Sequence, residues 1–251
     1  MSDDTLRIVH LYPEELGVSG DRGNVTTLVE RARRAGIESS VTEYRVGDAV
    51  PTVADAVVLG HGPLSGVRAV SDDARRLRDA FEGFAASGVP VVAVGGGLEL
   101  LSRGVVTVDG DTVEGVGFFD ALLRRGAPRR TNYFQLTTTY GGDELTLYGF
   151  EDHATHLELG SDAQAFAHVV HGGGNGSDGL EGVVRGTSFG TQLKGPLLPL
   201  NPALTDRVLR AALSRRGISY GTTDAHEKLD RYAAAAQRVI ADNLERSFKA
   251  M

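Results

Sequence analysis

Two short, largely apolar runs that each break off at glycines constrain this chain more than any other feature. Residues 54–59 run into Gly60-His61-Gly62, and residues 89–94 run into Gly95-Gly96-Gly97. A continuous apolar run of this length, bounded by turn residues, reads as a strand buried on both faces, and such strands belong to parallel sheets covered by helices. The segments around them agree. Residues 6–11 form a third short apolar run, and residues 24–36 carry Val25, Leu28, Val29 and Ala32 on one helical stripe with Gly36 as the stop. Residues 39–44 alternate as a strand does, and residues 71–87 read as one amphipathic helix with a serine cap and Gly88 after it. Strand and helix in alternation predict a mainly parallel sheet with right-handed crossovers.

Further along, Leu98 to Leu101 predicts a short helix. From about residue 105 to 184 the pattern becomes hairpin-like, with turn signals such as Gly141-Gly142-Asp143. Helical spacing returns at 202–215 and at 224–248, where Leu229, Tyr232, Ala236, Val239 and Ile240 make an amphipathic face. With no internal repeat and no Ser/Pro linker, residues 1–251 are expected to form a single α/β domain with an antiparallel extension, closed by a C-terminal helix over about 224–248.

Glycine supplies 33 of the 251 residues while proline supplies only 8, so the glycines serve tight turns rather than a disordered linker. Lys plus Arg number 26 against 33 Asp plus Glu, a formal charge of −7, which offers no basic field for nucleic acid or an anionic membrane. No apolar run approaches the ~20 residues of a membrane span. The opening Met1-Ser2-Asp3-Asp4 is acidic where a secretory signal is basic, so the expected location is cytoplasmic. Cysteine is absent, which excludes disulfides, thiolate metal sites and a cysteine nucleophile. His153 and His156 are three apart near what reads as a strand end with no third ligand in view, so neither a metal nor another cofactor is expected.

The stretch from Val91 to Leu101 is a buried strand meeting a helix through a glycine turn. Such a turn can expose a central nucleophile and aim the following N–H groups at one point. Its central residue here is Gly95, and taken alone the pattern reads as a tight strand-to-helix turn. Asp21 or Asn24 reads as a helix N-cap, and Arg124, Arg125, Arg129 and Arg130 as a solvated basic loop.

In combination, however, these strings resemble the class I (triad) glutamine amidotransferases, and within them the glutaminase subunit of lipid II isoglutaminyl synthase and the cobyric-acid-synthase-like enzymes. The resemblance rests on Leu11-Tyr12-Pro13 and on Gly20-Asp21-Arg22-Gly23-Asn24 with Leu28 and Arg31. It continues at Gly149-Phe150-Glu151-Asp152-His153, Gly174-Asn175-Gly176 with Glu181-Gly182, and Gly195-Pro196-Leu197-Leu198-Pro199 with Asn201-Pro202. These occur in collinear order over nearly the whole chain, with only the middle third aligning poorly. The fold this implies is a flavodoxin-like, mainly parallel sheet flanked by helices.

What the resemblance implies for chemistry is a loss. The family carries a cysteine where this chain has Gly95 and a histidine where it has Lys194. An aromatic residue and a glutamine stand at the positions of Leu98 and Glu99, and an oxyanion loop at Gly60-His61-Gly62-Pro63. An arginine of the 124–130 region, placed here at Arg130, holds the glutamine carboxylate. Glutamine hydrolysis by this route needs a thiolate and an imidazole. The expectation is a degenerate subunit that keeps its surface for a Mur-ligase-type synthetase in peptidoglycan amidation; the alternative is an active glutaminase or cobyric-acid-synthase-like enzyme whose groups lie elsewhere. Ser102 lies about two helical turns past Gly95, and His61 is either a base or donor at the sheet edge or a loop side chain filling space. The vestigial pocket is expected to comprise Gly60, His61, Gly62, Gly96, Gly97, Glu99 and Arg130, and to hold a small anion or carboxylate. Foremost among these is Glu99 itself, within ~4 Å of Lys194.

Overall fold

The computed structural model describes residues 4–176 and 178–246. The first half of the chain alternates as expected: β1 (Leu6–Leu11), α1 (Arg22–Arg34), β2 (Ser39–Tyr44), β3 (Ala56–Leu59), α2 (Leu64–Arg75), α3 (Arg78–Ala86), β4 (Val91–Val94) and α4 (Gly96–Leu101). A run of strands follows: β5 (Gly104–Val106), β6 (Thr112–Glu114), β7 (Ala121–Thr138), β8 (Leu145–Leu159), β9 (Ala167–His171), β10 (Leu180–Glu181), β11 (Val183–Arg185) and β12 (Ser188–Thr191). The chain then returns to helix in α5 (Leu197–Leu200), α6 (Pro202–Ser214), a 3-10 turn at Asp224–His226, and α7 (Glu227–Ala241).

The central sheet has the order β11-β12-β4-β3-β1-β2, parallel throughout except for β11, which pairs antiparallel with β12. Its alternating side chains feed two cores. Leu6, Ile8, Val58 and Val92 pack against α1 and α6 through Leu28 and Val208. Val9, Leu11, Val57 and Val91 face Val67, Val70 and Phe81 of α2 and α3, in a core that continues to Val105 and Leu123 of the second sheet. Each such fully buried aliphatic contributes about 1.5–3 kcal/mol, which is why strands only four residues long hold the centre of the fold. The second sheet, β10-β9-β7-β5-β6 with β8 on β7, is antiparallel but for the β5–β7 pair. The β7–β8 hairpin shifts register between Arg125 and Arg130.

Two helices differ from expectation. The helix expected over 71–87 is two helices, because α2 starts directly after Pro63 and the chain tightens at Arg76 and Leu77, whose N–H groups bond three residues back. Ser71 is therefore no cap; its hydroxyl donates to the Arg68 carbonyl within α2. The helix expected over 224–248 opens as a 3-10 turn held by a reciprocal Thr223–His226 cap and ends at Ala241; positions 247 and 248 lie outside the described residues. Of its apolar face only Ile240 is buried, while Tyr232 and Val239 are 64% and 57% exposed. The four-residue α5 has no counterpart in the sequence reading.

Candidate functional site

Parallel strands deliver their carboxyl ends to one edge, and here that edge is built almost wholly of backbone. Past β3 and β4, the Gly97 N–H donates to the Gly60 carbonyl at 2.9 Å. A Cβ on Gly96 would stand 2.8 Å from Gly62 backbone, and one on Gly97 2.7 Å from Leu59 Cβ; on Gly60 or Gly62 it would collide with the Leu16 or Glu15 carbonyl. These four glycines are thus explained by close packing of three loops, those after β1, β3 and β4. Gly95 adopts φ 52° and ψ −107°, a conformation that side chains strain to adopt. The sharp turn from strand into helix is present, with no side chain at its apex.

That apex is occupied from outside. A Cβ on Gly95 would collide with Nδ1 of His61 and stand 3.0 Å from Cε of Lys194. The same Nδ1 accepts the N–H of Gly96 at 3.1 Å. Burial, reinforced by the Lys194 charge, pushes the His61 imidazole down to about 3, so at neutral pH it is the neutral tautomer with its proton on Nε2.

Lys194 enters from the other side, in a β-bridge with Phe150, and is buried. Its ammonium donates to Gln192 Oε1 at 2.9 Å and to the carbonyls of Asp152 and Gln192, each at 3.3 Å. Desolvation lowers it to about 8 against the attraction of Asp152, Glu99, Glu181 and Asp21.

The expected Glu99–Lys194 contact is not formed. The buried Glu99 carboxylate instead takes both contacts from Arg125 Nη2, at 2.7 and 2.9 Å; Arg125 shares the inward face of β7 with the buried Ala121 and Leu123. Burial still raises the Glu99 carboxyl, with Arg125 opposing. Arg130, expected in the pocket, is committed elsewhere: it donates to the Gly174 and Gly176 carbonyls at 3.1 and 3.3 Å. Arg124 and Arg129 pair with Glu158 and Asp152 on the surface, as a solvated cluster would.

The remaining candidates are structural. The Ser102 hydroxyl is fully buried and donates to the Glu99 carbonyl. His153 is buried against Glu151 at 3.3 Å while His156 is exposed, since residues three apart on a strand face opposite ways. Among the described residues there is no cluster of three or more His, Cys, Asp or Glu that could hold a metal. Neither expected cap forms. Asp21 occupies the N-cap position without capping and accepts from Ser19 and the His61 backbone, whereas Asn24 accepts the Leu198 N–H at 2.8 Å, tying α1 to α5.

A strand-to-helix glycine turn thus stands at the carboxyl edge of a parallel sheet, and the family comparison decides which scaffold this is. Residues 7–202 match the model of the CobB/CobQ-like glutamine amidotransferase domain. This chain belongs to that family. Similar relatives include the protein named lipid II isoglutaminyl synthase (glutamine-hydrolyzing) subunit GatD from Staphylococcus aureus strain N315, 27% identical over 249 residues, 97% of this chain and 98% of the relative. The protein of the same name from Streptococcus pneumoniae strain R6 is 28% identical and covers 84% of this chain and 82% of its own. Among solved structures, PurLQS from Thermotoga maritima aligns with a TM-score of 0.59 at 13% identity, over 84% of this chain and 98% of that one, which speaks to the fold alone.

Within this CobB/CobQ-like domain three residues that hold the site were not assigned to it from the sequence: Arg125, read as part of a solvated loop, Glu181, read only as part of a motif, and Gln192, not singled out at all. Gln192 is two residues before Lys194, a spacing that puts both side chains on one face of an extended segment, so periodicity could have found it. Glu181 is fully buried, accepts from Thr191 and the Gln192 N–H, and is pushed up to about 7 by desolvation. Arg125 stands two residues after the buried Leu123 and four after the buried Ala121, so strand alternation puts it on the inward face and could have found it as well. Among the described residues, no helix is long and apolar enough to cross a membrane.

Proposed function

We propose that this chain is a catalytically degenerate amidotransferase-like subunit, related to GatD, which retains the family scaffold as a binding component for a Mur-ligase-type synthetase in peptidoglycan amidation. The reading is carried by one observation: the imidazole of His61 fills the space where a nucleophile on residue 95 would sit. The same ring nitrogen takes the Gly96 N–H, the kind of donor that would otherwise stabilise an oxyanion. Gly95 supplies no attacking atom. Lys194, its donors engaged and its pKa near 8, is mostly a cation at neutral pH and a poor proton acceptor. Its relatives' names support the cell-wall assignment.

The test is reconstitution with the Mur-ligase-type synthetase of the same genome. A stable complex on size-exclusion chromatography, whose amidation reaction runs on ammonium salts but not on glutamine, is the expected result. Glutamine-dependent amidation at a rate comparable to the ammonium-driven one would overturn the degenerate reading, and failure to form a complex would overturn the partner.

A further inference from the structure

At the amino ends of the parallel strands, the edge opposite the glycine turn, a cleft of about 570 Å³ opens between α3 and residues 50–54, which lead into β3. That volume lies in the range of small-molecule sites. Asp79, Gly83, Phe84 and Ser87 fall on one face of α3 and form one wall; Val50 and Val53, 37% and 53% exposed, stand on the other side. Gly83 is the informative residue. Inside a helix glycine is less favourable than any residue but proline, and neither packing nor backbone requires it here, since its φ is not positive and an added Cβ would meet no atom within 4 Å. What its missing side chain leaves is the open space of the cleft.

One end of the cleft carries a fixed positive charge. The fully buried Asp55 accepts the N–H, Nε and Nη2 of Arg7, Nη1 of Arg215 and Nη1 of Arg216, all at 2.9–3.1 Å, so three guanidiniums saturate one carboxylate. Arg215 is anchored a second time, donating Nε to the Ser87 carbonyl at 3.0 Å. Its Nη2 has no partner among the described residues, and its guanidinium borders the cleft beside that of Arg7. Asp79, the acid in the lining, is exposed and lies about 12 Å along α3 from Ser87, beyond the Debye length of ~8 Å at physiological ionic strength, so it does not cancel the charge at the Arg215 end.

We propose that this cleft is a ligand site for a small molecule with a single anionic head, carboxylate or phosphate, seated at Arg215 and Arg7, and an apolar body lying over Gly83 between Phe84 and Val53. A guanidinium already anchored at two points loses little freedom on taking an anion, and the apolar body covers valines that otherwise face water.

The experiment titrates the full chain by calorimetry with octanoate, octyl phosphate and octylammonium. The expected result is saturable one-to-one binding of at least one of the two anions and none of octylammonium; binding of one anion alone supports the site and identifies its head group. Gly83→Leu, which fills the cleft from a position with room for a side chain, is expected to weaken anion binding at least tenfold while melting no lower than wild type. Arg215→Gln is expected to weaken it at least tenfold as well; if that variant melts early for want of its Asp55 and Ser87 contacts, Gly83→Leu carries the test. No saturable binding of either anion, or octylammonium binding as tightly as they do, would overturn the proposal. So would anion binding that Gly83→Leu leaves intact, which would place the ligand elsewhere, or anion binding unchanged in a folded Arg215→Gln chain.

Discussion

The Nδ1 atom of His61 accepts the backbone N–H of Gly96 at 3.1 Å, so a side chain from the loop after β3 is seated on the turn after β4. A protonated imidazole cannot accept that bond. Because the folded state holds this histidine down to about 3 against 6.5 when unfolded, it refuses a proton that the unfolded chain takes up. The stability it contributes is complete above pH 6.5 and is lost as pH falls toward 3. Nitrogen-15 correlation spectra are therefore expected to show His61 as the neutral Nε2–H tautomer still at pH 5, and His61→Gln to flatten the acid limb of the stability curve relative to wild type.

Restoring a thiol at position 95 is expected to damage the protein rather than revive it. In Gly95→Cys the new Cβ meets His61 Nδ1 and Lys194 Cε, on a backbone with φ 52°. Overpacking and backbone strain each cost about 1–3 kcal/mol, so chemical denaturation should show a loss of at least about 2 kcal/mol. The double variant Gly95→Cys, His61→Gly should recover part of that loss. An equally stable single variant would show that the imidazole does not hold the site.

Glu181 predicts the opposite pH behaviour from His61. Its carboxyl is raised from 4.5 to about 7, so the folded state keeps a proton the unfolded chain has released, and stability falls as pH rises between those values. Glu181→Gln should thus match wild type near pH 4 and exceed it above pH 7, by at most about 3 kcal/mol. Thr191 Oγ1, which donates to Glu181 and accepts from Leu193, can rotate to meet the new amide. A gain that does not change with pH would contradict the assignment.

How far the sequence alone leads can be seen at three places. Every residue of β3 and β4 is buried, so their apolar runs reported the sheet directly, and the glycines after them reported the loops that have no room for a Cβ. The elbow was legible for the same reason. What was not legible is which cation faces Glu99: Lys194 and Arg125 both reach the region, and the choice depends on how the long β7–β8 hairpin, read from the sequence as a loop at Arg125, packs on α4. The partners of Arg130 were not legible either, since the backbone carbonyls it donates to, those of Gly174 and Gly176, belong to a glycine loop far along the chain. On α7 the sequence showed the amphipathic face but not which of its residues are buried, because helical periodicity marks apolar residues without saying what covers them.

The pairing of Glu99 gives a further test. Glu99 is almost fully buried and Arg125 about a quarter exposed, so removing Arg125 strands a buried carboxylate. Discounted for that exposure, the coupling in a Glu99→Gln and Arg125→Met double-mutant cycle should be about 1–3 kcal/mol. The corresponding Glu99 and Lys194 cycle should give clearly less; the reverse order would restore the pair first expected from sequence.

Ammonia release from glutamine tests the central claim most directly. With the chain purified to homogeneity and assayed alone and together with its synthetase, release is predicted to be indistinguishable from a control without this chain. Turnover above that control, abolished by His61→Gln or Lys194→Met in this chain, would show that the rebuilt site is a working one and would contradict the account.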